Sequence, residues 1–187
     1  LTYQCVIEEE PLGTGGGIQL ACRKSKETSV LVLNGDTLFR VNLQQLSYFH
    51  FSNNAECTLA LKLMTDFNRY GVVELNSNSS ISSFKEKQFY KKGNINGGVY
   101  IINKDDLLRK QLPSKFSFEK DYLEKYYTEK RMFGLVLDEY FIDIGIPEDF
   151  ERANNELARG FLMVNKIDFS QITKEYTLFL DRDGVIN

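Results

Sequence analysis

The 187-residue chain contains no tryptophan, one histidine, three prolines and three cysteines, and each shortage narrows what it can be. Cys5, Cys22 and Cys57 are odd in number and widely spaced, which suits neither a disulfide framework nor a zinc site. Set among apolar neighbours, they read as reduced, buried thiols of a cytoplasmic protein. His50 has no second histidine and no nearby cysteine to share a metal, so it is expected on a helix surface or in the core. No apolar run approaches the ~18 to 20 residues of a spanning helix, which excludes a helical membrane protein. The opening Leu1-Thr2-Tyr3-Gln4 has neither a charged start nor an apolar stretch and is no secretory signal; without an initiator Met, the chain is expected to be an internal fragment. With 23 basic against 26 acidic residues, a net charge of −3 and no sustained basic stripe, a protein that tracks a nucleic-acid backbone is disfavoured. A small anionic substrate stays open, because a few local cations or a bound metal would hold it.

What is present is an alternation of strand and helix patterns. Val30-Leu31-Val32-Leu33 reads as a buried parallel strand that stops at Asn34-Gly35-Asp36. Leu43, Leu46 and Phe49 follow at helical spacing after a cap at Asn42. From Ala55 the period becomes two, with Cys57, Leu59, Leu61 and Leu63 on one face and Glu56, Thr58 and Lys62 on the other. Gly71 to Leu75 and Ile81 to Phe89 read as a strand pair, Asn96-Gly97-Gly98 as the start of another strand, and residues 104–111 and 118–127 as helices. Strands follow around residues 135–137 and 140–142. Pro147, Glu148 and Asp149 then suit the first turn of a helix that Gly160 would stop. Residues 161–175 read as a linker, and the apolar run at 176–180 opens a second domain.

Three clusters invite chemistry. The run Gly13-Thr14-Gly15-Gly16-Gly17 fails the dinucleotide pattern, which needs glycine where Ile18 stands, and it lacks the Lys-Ser/Thr of a phosphate loop. It is either a loop that lets backbone approach a flat, uncharged group such as a base or ribose, or a plain strand-to-helix turn. Asp36 and Asp143 each end an apolar strand, where ligands of open α/β sheets gather. They are either joint ligands of magnesium or turn aspartates bonded to local backbone. Asn96-Gly97-Gly98 would admit a hydroxyl-rich ligand. Glu119 and Lys120 would add a hydroxyl acceptor and a phosphate cation, or form a solvated helix face.

The order of the segments adds to this. Glu10-Pro11-Leu12-Gly13-Thr14-Gly15-Gly16, Asn34-Gly35-Asp36, Tyr70-Gly71-Val72-Val73, Asn96-Gly97-Gly98-Val99-Tyr100, Ser117-Phe118-Glu119-Lys120-Asp121 and Asp143-Ile144-Gly145-Ile146-Pro147-Glu148-Asp149 resemble the sugar-phosphate nucleotidyltransferases in sequence and in order. Within that family the Leu-Gly-Thr-Gly-Gly and Phe-Glu-Lys-Asp segments are most similar to guanylyltransferases acting on heptose 1-phosphate. The resemblance implies a three-layer, Rossmann-like α/β domain over residues 1–160, with a mostly parallel mixed sheet whose N-terminal part is missing. It implies GTP and a sugar 1-phosphate as substrates. Leu12, Gly13, Thr14, Gly15 and Gly16 would bind the nucleotide, and Asp36 and Asp143 would hold Mg2+. Gly71, Asn96, Gly97, Gly98, Glu119 and Lys120 would bind the sugar phosphate. Mannose 1-phosphate, another hexose 1-phosphate, or nucleotide-sugar binding without turnover are the alternatives.

The end of the chain, Phe179-Leu180-Asp181-Arg182-Asp183-Gly184-Val185-Ile186-Asn187, resembles the first motif of haloacid-dehalogenase-type phosphatases, particularly those acting on heptose 1,7-bisphosphate. By that resemblance Asp181 would be the nucleophile, Asp183 the general acid and base, and both would hold magnesium in a bifunctional protein. With neither the triphosphate-gripping loop nor the later phosphatase motifs, these 187 residues alone are expected to be inactive.

Overall fold

The computed structural model describes residues 5–129, 131–158 and 176–180. In chain order the elements are α1 (Gly13–Lys24), β1 (Ser29–Leu33), β2 (Thr37–Phe39), α2 (Leu43–Ser52), β3 (Cys57–Phe67), β4 (Val72–Leu75), β5 (Ile81–Lys85) and β6 (Tyr90–Asn103). There follow α3 (Lys104–Arg109), a π-helical turn (Phe118–Leu123), α4 (Glu124–Tyr126), β7 (Met132–Leu137), β8 (Phe141–Asp143), α5 (Pro147–Ala158) and β9 (Tyr176–Leu180). No helix among the described residues is long and apolar enough to cross a membrane.

One five-stranded sheet, ordered β7-β3-β6-β1-β9, forms the middle layer. β3 pairs parallel with β7 and β1 parallel with β9, whereas β6 runs against both of its neighbours. The expectation of a mostly parallel mixed sheet therefore holds, although β1 is antiparallel to β6. Period-two alternation splits its residues between two cores. Val30, Val32, Leu59, Leu61, Tyr100 and Ile102 pack against Ile18 and Cys22 of α1, Leu107 of α3 and Phe118 and Tyr122 of the π turn. Leu31, Ala60, Val99 and Ile101 pack on the other face against Leu46 of α2 and Phe39 of β2. These are three layers, each buried Leu or Phe contributing about 1.5 to 3 kcal/mol.

Several local expectations change in the tertiary setting. Glu56 and Thr58, on the polar face of the period-two pattern, are 2% and 0% exposed. α2 covers Thr58, whose Oγ1 shares a 2.9 Å hydrogen bond with Nδ1 of the equally buried His50. Cys22 and Cys57 are buried, with burial pushing the Cys22 thiol up to about 11, but Cys5 is exposed. The helix expected at 118–127 begins as a wide π turn, with Ser117 Oγ accepting from the Lys120 amide. The strand expected at 176–180 forms, yet it lies in parallel register beside β1, Ser29 opposite Tyr176 and Leu33 opposite Leu180. β1 is a buried strand whose outer main-chain groups need partners, and a further strand supplies them. The linker at 161–175 and the motif carrying Asp181 and Asp183 lie outside the described residues.

Asn96-Gly97-Gly98 does not start a strand. It sits inside the 14 residues of β6, at a bulge where β3 advances from Leu59 to Leu61 while its partners step from Tyr100 to Asn96. Gly98 has φ +71°, and a Cβ there would stand 2.6 Å from Thr37 Oγ1. A Cβ on Gly97 would stand 2.4 Å from the Phe39 ring and 2.8 Å from the Ala60 carbonyl oxygen.

Two outcomes are expected for the complete protein. Gly98→Ala combines left-handed strain with a close contact and should cost about 1 to 3 kcal/mol in urea unfolding. The second concerns His50, whose burial, with Arg131 nearby, lowers its pKa from 6.5 to about 4. Between these values the unfolded chain takes up a proton that the native chain refuses. Stability should thus fall by about 3 kcal/mol as pH drops from about 6.5 to about 4, and be unaffected by this group above that window. His50→Gln should flatten the slope; an unchanged profile of unfolding free energy against pH would refute the assignment.

Candidate functional site

β2 and β8 form a short antiparallel ribbon in which Thr37 pairs with Asp143, and the Ile144 amide donates to the Asp36 carbonyl oxygen at 2.9 Å. Two aspartates separated by more than a hundred positions are thereby one register step apart. Both half-buried side chains line a cavity of about 360 Å³, as do Gly71, Asn96, Gly98, Glu119 and Lys120. That volume suits a small-molecule site. Seven residues singled out from sequence thus share one hollow, at the end of β1 where the chain leaves the sheet.

Local structure explains how each is aimed. The Asn34 amide donates to the Gly98 carbonyl oxygen at 2.8 Å and docks the Asn34-Gly35-Asp36 loop onto the β6 bulge. Asn96 Nδ2 donates to the Tyr100 hydroxyl and to Glu119 Oε1, each at 2.8 Å, while its Oδ1 accepts from the Gly98 amide at 3.2 Å. Burial pushes the Tyr100 phenol well up, so it stays protonated. Asp143 Oδ1 accepts from the Gly145 amide at 2.8 Å and Oδ2 from the Tyr70 hydroxyl at 3.0 Å. Asp143 thus makes the local turn bond expected of a turn aspartate, and it also lines the cavity.

The remaining predicted positions separate. Gly97 lies beneath the bulge against Phe39 and does not line the cavity. The glycine run is no open loop, because Gly13 begins α1 and Gly15 and Gly16 are buried in its first turn. A Cβ on Gly15 would fall 2.2 Å from the Phe116 ring, and one on Gly16 2.5 Å from the Ser114 carbonyl oxygen. These glycines admit the Phe116 ring and the Ser114 backbone, which occupy the close approach expected for a ligand. Leu12, Gly13 and Thr14 keep some exposure, and Thr14 Oγ1 accepts from the Phe118 amide at 3.1 Å, tying the run to the Glu119–Lys120 turn.

The cavity also holds residues that sequence reading missed. Thr37 Oγ1 is buried with no hydrogen-bond partner among the described residues, a condition that normally costs about 1 to 3 kcal/mol unless a ligand satisfies it. Lys85, Glu86 and Lys87, at and just past the end of β5, and Tyr70, just before β4, complete the wall with Glu124. Their signal was the charged triplet ending the hairpin strand and the Arg-Tyr-Gly that begins it. Lys85 is paired with Glu74 at 2.5 Å, whereas Lys87 and Lys120 form no ion pair among the described residues.

The lining counts five carboxylates, Asp36, Glu86, Glu119, Glu124 and Asp143, against three lysines. Burial, with Glu86 and Glu119 nearby, raises the Glu124 carboxyl above its ordinary value. An anion entering this hollow needs a counter-charge. No group of three or more acidic, histidine or cysteine side chains that could cage a metal occurs among the described residues. Two hard oxygen donors of a half-open site nevertheless suit magnesium, which binds through one or two carboxylates and takes its other ligands from water and substrate phosphates. Asp143 fits that role, since each of its oxygens keeps a lone pair beyond its one hydrogen bond.

Comparison with known proteins shows the family and the fold. The chain is 52% identical over 151 residues to a D-glycero-alpha-D-manno-heptose 1-phosphate guanylyltransferase of Aneurinibacillus thermoaerophilus, covering 81% of this chain and 65% of that protein. It is 34% identical over 163 residues to a mannose-1-phosphate guanylyltransferase of Mycobacterium tuberculosis, covering 86% of this chain and 45% of the relative. The fold matches the crystal structure of HddC from Yersinia pseudotuberculosis complexed with GMP-PN, with a TM-score of 0.71 and 34% identity over 81% of this chain and 65% of that one. The chain thus spans about two thirds or less of each of these proteins. The nucleotidyl transferase family model matches residues 1–160, which take in the sheet strands β1 to β8 and the whole cavity, and the chain belongs to that family.

Proposed function

We propose that the complete protein is a magnesium-dependent guanylyltransferase that joins the GMP part of GTP to a sugar 1-phosphate and releases pyrophosphate. The sugar we assign is D-glycero-D-manno-heptose. The observation that carries this reading is the convergence, in one cavity, of two strand-end carboxylates with the amide of Asn96, the carboxylate of Glu119, and Lys87 and Lys120, from three other segments. A phosphate oxygen of the sugar 1-phosphate attacks the α-phosphorus of GTP, a new P–O bond forms, and the bond to the β-phosphate breaks with departure of pyrophosphate. The protein's task is alignment of two anions and neutralisation of their repulsion. Lys120 and Lys87 supply positive charge at the cavity wall, Asn96 and Glu119 meet sugar hydroxyls, and Thr37 offers a hydroxyl that has no partner among the described residues. Gly71 lines the cavity at the hairpin, where the sugar would lie, and the partly exposed Leu12, Gly13 and Thr14 would meet the guanine and ribose. Magnesium, held by Asp36 and Asp143, would offset phosphate charge. Buried, unpaired thiols at Cys22 and Cys57 suit a cytoplasmic setting.

The heptose assignment rests on 52% identity to the heptose enzyme against 34% to the mannose enzyme. Resemblance of residues 179–187 to the first phosphatase motif extends the proposal to a bifunctional protein. Removal of the 7-phosphate from a heptose 1,7-bisphosphate leaves the 1-phosphate that the transferase consumes.

Two measurements on the complete protein test the reading. Given GTP and Mg2+, kcat/KM should favour heptose 1-phosphate over mannose 1-phosphate; a tenfold preference for mannose, about 1.4 kcal/mol in transition-state binding, would reverse the assignment. Asp36→Asn and Asp143→Asn should each lower turnover by orders of magnitude while leaving the fold intact by circular dichroism. Near-normal turnover of both variants in limiting magnesium would rule out the metal role.

A further inference from the structure

Behind Asp143 lies a second cavity of about 220 Å³, lined by Arg69, Asp149 and Arg152, and separated from the first by a wall of Tyr70, Phe141 and Asp143 that both hollows share. Tyr70 packs edge-to-face on Phe141 with ring centroids 6.1 Å apart, and the Arg69 guanidinium lies 5.4 Å from the Tyr70 ring. From this fixed ring the hydroxyl reaches Asp143 Oδ2 at 3.0 Å, and Arg69 Nη2 stands 3.8 Å from the same oxygen.

A cation that close to a metal-binding carboxylate is a competitor unless its charge is met elsewhere. Arg69 is hydrogen-bonded and ion-paired to Asp149 in the first turn of α5. Arg152 reaches Asp149 at 3.2 Å and Glu156 at 3.7 Å. The two guanidinium groups are thus held chiefly by Asp149 and Glu156, and Arg69, at 3.8 Å from Asp143, is kept from pairing with it more closely.

We propose that Tyr70 is a positioning residue that sets the orientation of Asp143, and that Asp149, which does not touch the site, preserves Asp143 for a divalent cation by holding Arg69. The proposal rests on the reading of Asp143 as a metal ligand. It assigns the Arg-Tyr that precedes Gly71 and the acidic start of α5 to one device, linking the sugar-facing hairpin to the metal carboxylate.

The test titrates Mn2+, followed by electron paramagnetic resonance, onto the complete protein saturated with a non-hydrolysable GTP analogue. Tyr70→Phe and Asp149→Asn should each weaken Mn2+ binding by about tenfold with little change in melting temperature. Adding Arg69→Gln to Asp149→Asn should restore most of the lost affinity, which a merely structural role would not do. Asp143→Asn is the control. If it leaves Mn2+ binding unchanged, the metal reading fails and takes this proposal with it. If it abolishes binding while Tyr70→Phe and Asp149→Asn stay within twofold of the parent, the positioning proposal alone is overturned. An Asp149→Asn loss that Arg69→Gln does not relieve, or one that tracks a lowered melting temperature, also overturns it.

Discussion

Strand β6 runs against both of its neighbours and carries extra residues at its middle, and the cavity follows from that irregularity. On either side of the bulge the strand is locked, with Ile95 at 0% and Tyr100, Ile101 and Ile102 at 2% exposure or less. The surplus backbone has nowhere to go but out of the sheet plane. It emerges with Asn96 turned toward the Glu119 turn and with the Gly98 carbonyl oxygen presented to Asn34. A regular ladder would have kept these groups in pairing and closed the hollow. Glycine is required here for a definite reason: the positive φ at position 98 and the Phe39 ring under position 97 leave no place for a side chain.

Charge is handled differently at the two ends of the sheet. Away from the cavity, buried Glu56 accepts from the Tyr122 hydroxyl at 2.8 Å and pairs with Lys110 at 3.2 Å, which also meets Glu129 at 2.5 Å. Asp106 is bracketed by Arg109 at 2.5 Å and Arg131 at 3.0 Å, and these partners hold its carboxyl below the ordinary value against the opposing effect of burial. Each buried carboxylate there has its cation, as stability requires. In the cavity the carboxylates outnumber the lysines and a buried hydroxyl has no partner among the described residues. Local rules of satisfaction are broken where a ligand would complete them.

Period and punctuation made much of the fold legible. Val30 to Leu33, the Asn42 cap with its Oδ1 accepting from the Gln45 amide, the hairpin on either side of Asn76 to Ser80, and the Pro147 start of α5 all stand where the pattern put them. These features are decided by neighbours within a few residues. The same reasoning set Glu56 and Thr58 on the face opposite the apolar residues but left their burial open, because alternation reports that two faces differ and not whether a helix covers the second. It left the glycine run open between a ligand-admitting loop and a plain turn into a helix, because small residues admit a ligand and a packed neighbour equally well, and Phe116, a hundred positions away, took the space.

By itself the sequence determined the type and order of the elements and the identity of the candidate side chains, since backbone preference and side-chain chemistry are properties of short segments. Tertiary structure decided which of those side chains meet. Asp36 and Asp143 become neighbours only through the β2–β8 register, and Asn96 reaches Glu119 only because β6 bulges. Tyr70 touches Asp143 only because the hairpin and the ribbon pack together at Phe141. Such contacts join residues 23 to more than 100 positions apart, and no local spacing encodes them. They arise when buried apolar area fixes how the layers stack, and the site is what remains between the layers once they have.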